Sequence, residues 1–160
     1  MYLHRYTAMN VAQAGTYFGA LVIGCGALGT YVGGKLAAWW LTRSARAYYQ
    51  LIAYAFLAAL PCCWLALYAT HTGLILTYIG LALTLLFLPT GAIAAALVAT
   101  TDKHIRSMAF ALNIFIIHVL GDALSPTLVG WASDAWSLKY AVFMCTLALL
   151  PGAFAVAYKN

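Results

Sequence analysis

Between Arg46 and Asp102 the chain carries no Asp, Glu, Lys or Arg. A helix needs about 20 apolar residues to cross the hydrocarbon core of a bilayer. This stretch therefore holds two crossings, with His71, Thr72 and Gly73 as the natural turn between them. They are read as 49–70 and 73–100. The same rule places further spans at 11–34, ending at Lys35, at 107–130, and at 140–158, ending before Lys159. In lipid a helix satisfies its own backbone groups and a short open sheet does not. The expected fold class is all-α: a polytopic transmembrane helical bundle of five spans, forming one domain over 1–160.

Composition agrees with a bilayer as solvent. Apolar residues make up 66% of the chain and charged residues 7%, against about 25% charged in a soluble domain. Disorder requires low hydrophobicity and high charge. The net charge of +5 comes from basic residues set between apolar segments, so membrane lipid is an expected partner and nucleic acid is not. Cys25, Cys62, Cys63 and Cys145 all lie inside apolar stretches and have no ligand spacing. No signal-peptide pattern opens the chain. No cofactor and no metal site are expected.

Basic residues set the orientation. With segments outside the membrane alternating, one side receives Lys35, Arg43, Arg46, Lys103, Arg106 and Lys159, and the other Arg5 and Lys139. The first side, including the C-terminus, is expected in the cytoplasm of an integral membrane protein of the cell or inner membrane. Five spans starting outside without a signal peptide suggest a fragment whose earlier spans are missing.

The first span is glycine-rich. Gly15, Gly19, Gly26, Thr30, Gly33 and Ala37 fall near one helical face. Small residues at such spacing let helices approach closely, either as plain packing or as a face that rocks during transport. Gly24 to Gly29 matches GxGxxG, but it sits within an apolar helix with no acid near position 49, so dinucleotide binding is rejected. Pro89 in the third span predicts a kink near Leu88–Gly91.

The fourth span carries the chemistry: Asn113, His118, Gly121, Asp122, Ser125 and Pro126. A carboxylate within a span is costly and marks function by default. His118 and Asp122 are at i and i+4, share a face and can pass a proton. The structural alternative has Asp122 near the outer end, satisfying backbone groups loosened by Gly121 and a second kink at Pro126. Asn113 lies on a partly different face, where it lines a cavity or bonds a neighbouring helix. A hydrolytic triad of His118, Asp122 and Ser125 drawn from one short helical stretch is implausible, so no catalytic residues are expected and the chain is not read as an enzyme. Asp102 and Arg106, at i and i+4 before this span, are in a favourable pairing order. Trp39, Trp40, Tyr48 and Tyr49 fit an interfacial aromatic belt.

Two segments carry a family resemblance. Gly29-Thr-Tyr-Val-Gly33-Gly34-Lys-Leu-Ala-Ala, followed by Arg43 and Arg46, resembles the cytoplasmic loop signature of the major facilitator superfamily. The run from Arg106 through Asn113, His118, Asp122, Pro126 and Gly130 to Asp134 is similar to the eleventh span of its spinster-like branch. The resemblance implies a partial C-terminal half of the facilitator fold, with these spans as the eighth to twelfth. It implies secondary transport of a small organic solute or lipid by alternating access, with the missing N-terminal half, or a full-length transporter, as partner. Gly33, Gly34, Arg43, Arg46, Asp102 and Arg106 would form the cytoplasmic gating loops. Where the family has an acid and then a base, this chain has Ala38 and Trp39. The alternatives are a membrane-embedded module that docks through its glycine face, or a truncated fragment without function.

Overall fold

The computed structural model describes residues 10–43 and 47–122, of which 120–122 by backbone only, together with the helical residues Thr127, Gly130, Trp131, Ser133, Phe143, Met144, Thr146 and Leu147. Three long helices follow in order: α1 (Val11–Leu41), α2 (Ala47–Tyr68) and α3 (Thr72–Thr100). Each is long and apolar enough to cross a membrane. A shorter helix, α4 (Arg106–Ile116), runs directly into a π-helical turn (Ile117–Asp122). The described residues thus form a helical bundle suited to a membrane.

Local chemistry accounts for the boundaries. Asn10 starts α1 through a reciprocal cap: its side chain accepts from the Gln13 N–H at 2.8 Å, and the Gln13 side chain accepts from the Asn10 N–H at 3.2 Å. Extended backbone at His71 starts α3, so Thr72 and Gly73 of the expected turn lie inside the helix. The helix that carries the first expected span runs past Lys35. α1 continues to Leu41, because Lys35 rests its ammonium 4.8 Å from the centroid of the Tyr31 ring and does not have to leave the helix to reach water. α3 runs unbroken through Pro89, and α2 through Pro61. A proline is tolerated inside a spanning helix when neighbouring helices re-satisfy the freed backbone.

Packing is dominated by α1 against α3, with α2 along α3. Near the end of α1, buried Ala37, Leu51, Ala55, Leu88 and Ala92 join the three helices. At the other end Ala14 meets Ile75. Small side chains make up most of the core, while large ones such as Ile23, Leu28, Tyr54 and Leu81 point outward. Burying Leu against helix gains nothing over burying it in lipid, so close backbone approach by small residues holds such a bundle together.

The fourth expected span is described as α4 and the π-turn, then only at isolated helical residues. Of the fifth, Phe143, Met144, Thr146 and Leu147 are helical, and the rest lies outside the described residues. Trp64 of α2 stacks on Phe143, with ring centroids 5.5 Å apart, and its indole N–H donates to the Thr146 hydroxyl at 3.1 Å. This places the segment beside α2.

Candidate functional site

Gly33 and Gly34 do not form a loop, contrary to expectation. Both lie within α1, where Gly33 meets the Leu88 carbonyl and Gly34 faces Gly91. Gly91 in turn sits against the Thr30 carbonyl. A side chain at Gly29, Gly33 or Gly91 would collide with backbone of the opposing helix, where nothing can swing aside. Gly26 lies under the Phe87 ring, whereas Gly15, Gly19 and Gly24 face open space. The expected glycine face is therefore split, with one half consumed inside the bundle and the other free.

The α3–α4 connection is built around Arg106, the first residue of α4. Its guanidinium donates to the carbonyls of Val98 at 2.8 Å and Thr101 at 3.3 Å. These oxygens belong to the end of α3, which has no intrahelical donors left for its last carbonyls. A cation there also complements the helix dipole. The expected Asp102–Arg106 pair is not made: Asp102 is exposed and the guanidinium turns to the carbonyls. The Arg106 Nε is buried without an acceptor. Arg43 follows α1 in a turn, its guanidinium 4.0 Å from the centroid of the Trp39 ring. Arg46 lies outside the described residues.

On α4, Asn113 is half-buried on the side that carries Arg106, Ala109 and Phe110, whereas His118 is exposed. Five residues separate Asn113 and His118, roughly 140° around an α-helix, so the structure does not bring them onto one face. No residue of α4 is buried, and Met108, Leu112 and Phe115 are all exposed. His118 and the Asp122 backbone share the π-turn. An i→i+5 ladder alters the rotation that the α-helical i, i+4 spacing assumed, and such turns recur at functional sites. The Asp122 side chain, Ser125 and Pro126 lie outside the described residues.

A cavity of about 200 Å³ opens between the three long helices, lined by Phe18 of α1, Cys63 and Leu67 of α2, and Ile79 and Leu86 of α3. Its walls are apolar, suited to an alkyl group and not to a charged solute. Among the described residues no group of three His, Cys, Asp or Glu could hold a metal.

Sequence reasoning named Gly91 only as part of the expected kink and missed its close contact with α1. It also missed Pro61, the Asn10–Gln13 cap and Thr146. The capping signal Asn-x-x-Gln was readable in the sequence. The pairing of Gly91 with Thr30 had no local signal.

No family model matches the chain. Individual relatives do. A spinster homolog 3 from Danio rerio is 31% identical over 153 residues, covering 86% of this chain and 31% of the relative. The Mus musculus spinster homolog 3 is 31% identical over 156 residues, covering 88% and 30%. A sphingosine-1-phosphate transporter of Mus musculus is 32% identical over 178 aligned positions, covering 95% and 32%. The chain belongs to the spinster-like branch of the major facilitator superfamily. It spans about a third of the length of these spinster relatives. Membership agrees with the apolar helices and makes this an integral membrane protein.

Proposed function

We propose that this spinster-family chain supplies five spans of the C-terminal half of a secondary transporter, corresponding to the eighth to twelfth. The transporter moves a small organic solute or lipid by alternating access. Sphingosine-1-phosphate, carried by one relative, is the first solute to test. The loop holding Arg43 and Arg46, the loop from Asp102 to Arg106, and the C-terminus face the cytoplasm. The N-terminal half is the partner. The chain performs no catalysis.

One observation carries the reading: α4, the described start of the fourth span, leaves the side opposite Ala109 and Asn113 open. α4 buries no residue, packs chiefly along α3, and leads into a π-turn that holds His118 and Asp122. A facing bundle would complete a cavity around this turn. There His118 and Asp122 act as the coupling pair, and Asn113 holds α4 against its neighbour.

The test is a graft. The chain replaces the matching segment of the mouse sphingosine-1-phosphate transporter, and lipid transport is measured at controlled pH. The chimera is expected to transport. Asp122→Asn is expected to abolish the pH-driven component while leaving the amount in the membrane unchanged. A chimera that inserts but moves neither sphingosine-1-phosphate nor lysophospholipids overturns the transport reading. Unchanged pH-driven transport in the Asp122→Asn chimera overturns the coupling role.

The docking alternative narrows on the structure. Gly26, Gly29 and Gly33 are taken up against α3. Among the described glycines of α1, Gly15 and Gly19 face open space on one side, and Gly24 does so on the opposite side of the helix.

A further inference from the structure

The last three turns of α1 and the residue beyond its cap alternate aromatic and basic at every fourth position: Tyr31, Lys35, Trp39, Arg43. Four residues advance an α-helix by about 400°, so the positions form one ridge that drifts about 40° per step. The Lys35 ammonium lies 4.8 Å from the Tyr31 ring centroid, and the Arg43 guanidinium 4.0 Å from that of Trp39. All four side chains are exposed. The buried face of α1 is carried by other positions, Gly29, Gly33 and Ala37, which pack on α3. Among the described residues neither cation has a hydrogen-bond acceptor. α1 carries no acid.

We propose that this ridge binds the headgroups of anionic phospholipids in the leaflet at the C-terminal end of α1. Depth supports the assignment. The 31 residues of α1 extend about 46 Å at 1.5 Å per residue, well beyond the roughly 30 Å hydrocarbon core. About 20 residues counted back from Lys35 reach Thr16, the last polar side chain at the other end before the apolar run. Lys35 then stands at the hydrocarbon boundary, with Trp39 and Arg43 in the headgroup layer. Below them Leu28 and Val32 are exposed and meet acyl chains.

Chemistry supports it as well. A guanidinium held 4.0 Å from an indole centroid keeps N–H groups free to take phosphate oxygens in pairs. The rings hold both cations in place, which lowers the ordering cost of binding. A protein helix covering the ridge would bury two cations and would have to bring acids to match them. An anionic leaflet presents phosphate already solvated at that depth. This inference does not depend on transport activity; it needs α1 to span the membrane and the ridge to stay uncovered by the proposed N-terminal half.

The full chain in phosphatidylcholine nanodiscs tests it, with trace spin-labelled phosphatidylglycerol or spin-labelled phosphatidylcholine reporting the protein-bound fraction. The wild-type chain is expected to select phosphatidylglycerol. Lys35→Gln and Arg43→Gln are each expected to reduce that selectivity about fivefold, from the usual strength of one basic residue at a charged surface. Trp39→Leu keeps the charge and is expected to weaken selectivity by freeing Arg43. Lys103→Gln, off the ridge, is expected to leave it intact. All three ridge side chains are exposed, so circular dichroism should show unchanged helix content. Equal binding of both lipids by the wild-type chain overturns the proposal and makes a covering protein helix the better occupant. Selectivity that survives the double Lys35→Gln/Arg43→Gln change, or that falls equally with Lys103→Gln, also overturns it.

Discussion

Gly33 of α1 and Leu88 of α3 meet backbone to backbone: the position a Cβ of residue 33 would occupy is already filled by the Leu88 carbonyl. With Gly29 on Thr84 and Gly91 on Thr30, this contact makes a seam of touching main chains. Cα–H groups facing carbonyls across it add weak hydrogen bonds. Dispersion between close atoms, not expulsion of water, is what joins helices in lipid.

Gly33→Ala is therefore expected to force the helices apart and destabilise the bundle by about 1–3 kcal/mol, the usual cost of overpacking. Gly19→Ala, into open space, is expected to be neutral. Denaturation in mixed micelles, followed by circular dichroism, measures both. Equal stability of the two variants would show that the seam is not close-packed.

Arg106→Ala removes both donors from the end of α3. Its expected cost is about 1 kcal/mol, as for ordinary partly exposed hydrogen bonds. Hydrogen exchange is expected to quicken at residues 98–106 and not at the distant turn around His71. Arg106→Lys keeps the charge at the helix end but loses the planar fork, so it is expected to restore only part of the protection.

The Trp64–Thr146 hydrogen bond joins α2 to the segment around 143–147. A double-mutant cycle of Trp64→Phe and Thr146→Val is expected to give a coupling of about 0.6 kcal/mol, typical of such bonds between spanning helices. Zero coupling would show that the two segments do not touch through these groups.

Orientation is checked by cysteine labelling in sealed vesicles, on a background with the native cysteines removed. Lys103→Cys is expected to react from the cytoplasmic side, and Gly73→Cys, at the opposite end of α3, from the other side. The reverse pattern would refute the orientation that the basic residues imply.

What the sequence determined alone is the class of solvent and the number of long apolar runs it must accommodate. Absence of charge from 47 to 101, with a polar turn at His71, sufficed for α2 and α3, because bilayer thickness and backbone satisfaction leave one solution. The position of Arg106 at a helix start was also legible, as was family membership, since both reside in local order along the chain. Tertiary structure decided the partners. The Asp102–Arg106 spacing permitted an ion pair, yet the carbonyls of Val98 and Thr101 took the guanidinium, because the nearby end of α3 had unmet acceptors. Gly19 and Gly33 look alike in sequence, and only the crossing of α1 with α3 made one open and the other irreplaceable. Lys35 marked the end of an apolar run in the sequence, and the fold showed that the helix itself continues beyond it, with the ammonium over a ring one turn earlier. Local spacing states which contacts a side chain can make. Which contact it makes depends on what the folded neighbours leave unsatisfied, and that competition is settled across the bundle.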